Sequence, residues 1–100
     1  MGRFQIEYLP SAEKDLLEIV DYIKKDKPSA AANLINTIDR EISKLAEFPF
    51  LGPQPDDERL KMIGYRMIVI GNFIVFYVVK EKVVQIRRVL HGRRKYEFLL

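Results

Sequence analysis

The stretch YRMIVIGNFIVFYVV, residues 65–79, constrains the fold of this chain more than any other. YRMIVI (65–70) and FIVFYVV (73–79) are rich in the β-branched and aromatic residues that suit strands. Between them stands Gly71-Asn72, a two-residue turn with glycine first, as a type II′ hairpin requires. Such a turn dictates the register. Ile70 pairs with Phe73, so Arg66 lies opposite Tyr77, with Ile68 and Val75 on the same face. Met67, Val69, Ile74, Phe76 and Val78 gather on the other face, which is wholly apolar and is therefore expected to pack against the helices.

A third run, VVQIRRVLH (83–91), follows Lys80-Glu81-Lys82. It can add Val84, Ile86, Arg88 and Leu90 to the core, or else Val83, Gln85, Arg87, Val89 and His91. The first set buries fewer polar groups and is favoured on that ground. Arg87 and His91 then share the open face with Arg66. Arg88 falls on the closed side and needs a carboxylate, for which Asp15 and Glu18 on the first helix are the candidates. A structural ion pair of Arg88 with Asp15 is the expectation, and a ligand-facing Arg88 is the alternative.

The earlier half reads as a strand and two helices. RFQIEYL (3–9) alternates Phe4, Ile6 and Tyr8 with polar neighbours. Pro10 ends it, and Ser11 is placed to cap a helix running to about Lys25, with Ala12, Leu16, Ile19, Val20 and Ile23 on one stripe. Pro28 restarts the chain into a second helix carrying Leu34, Ile35, Ile38, Ile42 and Leu45. PFLGPQPDDE (49–58), with its prolines and glycine, reads as a loop. The order β-α-α-β-β-β implies an α+β fold, an antiparallel sheet packed on a helical hairpin, with residues 1–100 forming a single domain.

The 100 residues contain no cysteine, which excludes disulfides and thiolate metal sites. No apolar run approaches the roughly 20 residues of a membrane span, and the N-terminus does not read as a signal peptide, so a cytoplasmic protein with no membrane partner is expected. The net charge of +3 hides a division: residues 1–58 carry 7 Lys and Arg against 12 Asp and Glu, residues 59–100 carry 10 against 2. The second half would attract polyanions, although opposite-signed halves can equally attract each other within the fold.

RRVLHGRRKYEF (87–98) concentrates that positive charge around the sole histidine. On the register above, Arg66, Arg87, His91, Arg93 and Arg94, with Lys61 before them and Tyr96 after, line one sheet face and its rim. Phosphate suits the planar fork of arginine, and Lys61 and Arg87 are candidate phosphate ligands. A solvated basic edge with no ligand fits the same spacing. There is no Walker loop, no GxGxxG and no HExxH, and a lone histidine makes no metal cage, so neither metal nor cofactor is expected.

At these residues the chain resembles the RelE/ParE superfamily of bacterial type II toxins. YLPSAEKDLLEIVDYI (8–23) is similar to the family's SxxAxxDLxxIxxYI, and RVLHGRRKY (88–96) to its closing RVLHGxRD, with FPFLG (48–52) and GYRMIVIGNFIVFYVV (64–79) between them in the family's order. The resemblance implies a growth-arresting toxin held in check by an acidic antitoxin. That antitoxin would cover the positive face or lie along the helical hairpin, in a hetero-oligomer. It also implies one of two activities. RelE-like members cleave mRNA on the ribosome, and ParE-like members poison DNA gyrase without cleaving anything. For cleavage the resemblance would assign Arg66 and Arg93 or Arg94 to the phosphate and His91 or Tyr96 to proton transfer. The acidic Asp56-Asp57-Glu58, where ribonuclease members tend to be basic, and the helix start and RVLHG end favour the ParE side.

Overall fold

A computed structural model describes residues 3–93, 96, 99 and 100. Strand β1 (Gln5–Tyr8) leads into helix α1 (Pro10–Lys24) and helix α2 (Pro28–Ser43), whose end tightens into a 3-10 turn at Lys44–Ala46. A short helix α3 (Glu58–Ile63) then precedes β2 (Tyr65–Ile70), β3 (Phe73–Lys80) and β4 (Val83–His91). The architecture is α+β.

Gly71 takes a φ of 59°, and β2 pairs with β3 in the expected register, Ile70 with Phe73 and Arg66 with Tyr77. Pro28 opens α2. Other expectations need correction. The sheet is mixed, in the order β1-β4-β3-β2, because β1 runs parallel to β4 with Gln5 beside Val83 and Tyr8 beside Ile86. Antiparallel pairing follows where tight turns join strands, but β1 is separated from β4 by both long helices, and such a crossover delivers a strand in either direction.

Helix α1 begins at Pro10, whose fixed φ suits the first helical position, so Leu9 rather than Ser11 is the capping residue. The Ser11 hydroxyl instead donates to the Arg87 carbonyl at 2.7 Å. α3 occupies residues expected to lie outside the helices, and it includes Lys61. Its start was written in DDERL: Asp57 accepts from the Leu60 N–H at 3.0 Å, and Gly64, at φ 99°, closes it.

The two sheet faces are the reverse of expectation. Helices α1 and α2, the latter through Ile38 and Ile42, pack on Ile68, Val75, Tyr77, Val84, Ile86 and Val89. Phe76, Val78, Leu90, Met67 and Ile74 form a second cluster with Tyr65, Leu60 of α3, and Tyr96, Leu99 and Leu100. Both faces are covered, so the apolar character of one could not identify the helical side. Strand β4 serves both. A bulge sets Ile86 against Tyr77 and Arg88 against Phe76, leaving Arg87 as the extra residue. Val84 and Ile86 thus join the helical core while Leu90 joins the second cluster, so the alternating set expected for this strand is split.

Beyond the end of β1, helix α1 becomes the neighbour of β4. The Leu9 N–H donates to the Ile86 carbonyl at 2.9 Å, Ser11 takes the Arg87 carbonyl, and Asp15 accepts from the Val89 N–H at 2.9 Å. Across the opposite end of the sheet, residues 46–53 form a strap from β1 to β2. The Ala46 carbonyl accepts from the Phe4 N–H at 2.8 Å and the Pro53 carbonyl from the Met67 N–H at 3.0 Å. Gly52 fits because a Cβ there would collide with the Met67 carbonyl oxygen.

Candidate functional site

The expected basic cluster is dispersed. Arg66 projects on the helical side beneath the strap, not onto an open face. Its Nη1 donates to the Gly52 carbonyl at 2.8 Å and more weakly to Phe50 at 3.4 Å, and its guanidinium lies 5.0 Å from the centre of the Phe50 ring. Beside it the Tyr77 hydroxyl accepts from the Gly52 N–H at 2.9 Å. Burial raises the Tyr77 pKa, an effect opposed by the Gly52 bond and the Arg66 charge. These contacts make Arg66 a clasp for the strap.

Arg87 sits on the other side of the sheet. The bulge turns it toward Tyr65, 5.5 Å from the ring centre, where Nη2 donates to Gln85 Oε1 at 3.1 Å and Nε is buried without a partner. His91 returns to the helical side at the far end of β4, edge-on to Phe73 at 5.5 Å. The Arg93 N–H donates to its Nδ1 at 3.2 Å, so a neutral ring carries its proton on Nε2. Since Arg66 pairs with Tyr77 and His91 with Phe73, four residues of strand, about 14 Å, separate them along the sheet. Arg93 is exposed, the Tyr96 ring packs 4.7 Å from that of Phe76, and Lys61 faces Glu58 at 3.7 Å. Arg94 lies outside the described residues. No single phosphate could meet Arg66, Arg87 and His91 in this arrangement.

Arg88 makes a side-on pair with Asp15, Nε to Oδ2 at 2.7 Å and Nη2 to Oδ1 at 2.9 Å, while Nη1 donates to the Leu99 carbonyl at 3.1 Å. The Asp15 bond raises the Arg88 pKa further. This pair joins α1, the edge of β4 and the last residues of the chain.

The helical hairpin, expected as one of two places for a partner, carries a groove whose lining the sequence reading did not name. A groove of about 550 Å³ is floored by Leu16, Leu17, Val20 and Ile35, with Glu13 and Asp39 on its rim. Leu17 is exposed there. Tyr8 borders the groove, and its pKa is pushed up to about 12 by burial, then by the charge and hydrogen bond of Asp39. The signal was Leu17, an apolar residue beside the buried stripe of α1.

Comparison with known proteins fits these features. The family described as the ParE toxin of the parDE type II toxin–antitoxin system matches residues 6–96. The toxin candidate Y4kP of Sinorhizobium fredii is 31% identical over 100 residues, covering all of both chains. Among solved structures, the chromosomal ParDE system of P. aeruginosa superposes with a TM-score of 0.74 at 22% identity, over 89% of this chain and 96% of that one. The RelBE2 complex of Mycobacterium tuberculosis gives 0.59 at 20% identity, over 89% and 98%. YafQ of E. coli gives 0.59 at 21% identity, over 89% and 93%. At these identities the superpositions show a shared fold.

Proposed function

Because this chain belongs to the ParE toxin family of type II toxin–antitoxin systems, we propose that it arrests growth by binding DNA gyrase and not by cutting RNA. The observation that supports this reading is the separation of Arg66, Arg87 and His91. Cleavage through the 2′-hydroxyl needs cations on the phosphate and acid–base groups within hydrogen-bond reach of the reacting oxygens. Arg66 lies beneath the strap with Nη1 on the carbonyls of Gly52 and Phe50, and His91 and Arg87 lie elsewhere on the sheet, so these groups do not meet around one phosphate. Gyrase poisoning asks only for a binding surface. The site of action is the cytoplasm, and no helix among the described residues is long and apolar enough to cross a membrane.

The two activities separate in one comparison. Purified protein is added to gyrase with supercoiled DNA, and in parallel to translating ribosomes with cleavage mapped by primer extension. Loss of supercoiling with trapped DNA breaks, and intact mRNA, is the expected result. Codon-positioned cuts with gyrase unaffected would overturn it.

We further propose a cognate antitoxin, held in a hetero-oligomer, with a segment lying in the hairpin groove. Apolar residues floor that groove, whereas the cations once expected to form one face are scattered. Affinity for the antitoxin should therefore change little between low and high salt. A steep fall with salt would instead place the antitoxin on charged surface.

A further inference from the structure

The strap is firmly held and still turns apolar side chains to solvent. Phe48, Phe50 and Leu51 are 61%, 60% and 57% exposed, although Arg66 and Tyr77 fix the backbone at Phe50 and Gly52. More than half of each of these side chains is left in water, so most of their apolar surface adds nothing to the fold. Held in advance in one shape, they suit contact with another molecule, since little ordering remains to oppose binding.

The charges around them indicate which kind. The Phe50 ring meets Phe4 edge-on with centroids 6.5 Å apart. Arg66 lies 5.0 Å from the Phe50 centre and Lys82 5.0 Å from the Phe4 centre, so a cation brackets the aromatic pair at each end. Among the described residues neither cation has a carboxylate partner, whereas Arg3 is paired with Glu47 at 3.7 Å. We propose that Phe4, Phe50, Leu51, Arg66 and Lys82 form a docking surface for an acidic, apolar segment of a partner protein. Its apolar side chains rest on Phe50 and Leu51, and its carboxylates meet Lys82 and the free edge of Arg66. A nucleic-acid strand also combines aromatic and cationic contacts, but it needs a line of cations along its backbone, and here two flank the rings with Glu41 and Glu47 nearby, enough for a few carboxylates and too few for a run of phosphates. A second copy of this chain would bring the same two cations against themselves.

The test uses the full chain, isotope-labelled for NMR, and three probes: a synthetic peptide alternating Glu with Leu and Phe, the same peptide with Gln for every Glu, and a short oligothymidylate. The acidic peptide should shift the amide signals of Phe4, Phe50, Leu51 and Lys82 and bind less tightly as salt is raised. Its glutamine counterpart should bind about five-fold more weakly, the scale of two exposed ion pairs. Lys82→Gln, at an exposed position where the fold tolerates change, should weaken the acidic peptide about three-fold and leave the glutamine peptide unaffected. Phe50→Ser should weaken both peptides, with its melting curve checked for folding. Equal binding of the two peptides, no binding of either, shifts confined to other residues, tighter binding of oligothymidylate at Phe50, or self-association through the same residues would each overturn the proposal.

Discussion

Replacing Arg88 with methionine tests whether the interior ion pair holds α1 to the edge of β4. Asp15 is only 8% exposed and accepts from Arg88 Nε at 2.7 Å, from Nη2 at 2.9 Å and from the Val89 N–H at 2.9 Å. Methionine keeps most of the stem's packing but strands the carboxylate, a change that costs about 3–5 kcal/mol where the site is dry. The Arg88 side chain is 22% exposed, so water reaches its end of the pair, and Val89 continues to donate. Both effects hold the loss near the lower limit, about 3 kcal/mol. For a domain of this size that lowers Tm by about 12–24 °C. Asp15→Ala should cost more, about 4 kcal/mol, because it leaves a half-buried guanidinium unpaired and also orphans a buried N–H. The double variant Asp15→Asn with Arg88→Met buries no charge and keeps an amide oxygen for Val89, so it should be more stable than Arg88→Met alone. Urea unfolding of the wild type, Asp15→Asn, Arg88→Met and the double variant yields the coupling directly. Single losses that add to within about 0.5 kcal/mol would refute the reasoning, since they would mean that solvent and not Asp15 satisfies Arg88.

Three further outcomes follow from the strap and from Tyr8. Tyr77→Phe removes the acceptor of the buried Gly52 N–H, and should lower stability by about 1–3 kcal/mol and speed amide exchange at Gly52; an unchanged exchange rate would show that the bond does not hold the strap. Arg66→Ala should cost about 1–2 kcal/mol through the lost carbonyl bond and ring contact, with Arg66→Lys recovering part of it in the same melting assay; full stability of Arg66→Ala would contradict the clasp. Tyr8 has its pKa raised from 10.0 to about 12, so the folded chain holds this proton more tightly than the unfolded chain does. Its contribution is complete below pH 10 and fades as pH climbs toward 12. Tyr8→Phe should therefore flatten the fall of the urea midpoint across that range, and an identical fall in both proteins would remove Tyr8 as its cause.

Local chemistry was legible in the sequence wherever neighbours in the chain decide the structure. The Gly71-Asn72 turn sets the β2–β3 register because two residues with one glycine leave a single way to pair. Pro28 and the 3.6-residue stripes set the two long helices, and Asp57 with Gly64 could have marked the third. The need of Arg88 for a carboxylate was legible too, since a charge on a strand otherwise apolar must find a partner. Relations between distant segments were decided only by the tertiary structure. Which face of β2 and β3 meets the helices depends on what covers the other face, and α3 with Tyr96, Leu99 and Leu100 covers it. The parallel seat of β1 beside β4 comes from a crossover through two helices. The bulge at Arg87 appears where β1 ends and α1 takes over the edge of β4, and it sends Arg87 and His91 to opposite faces. Arg66 shows the difference most plainly. Its position opposite Tyr77 follows from a turn that begins five residues further along the chain, but its role as a clasp follows from a strap that the fold lays across the end of the sheet, because a guanidinium beside unpaired carbonyls bonds to them whatever the local sequence favours.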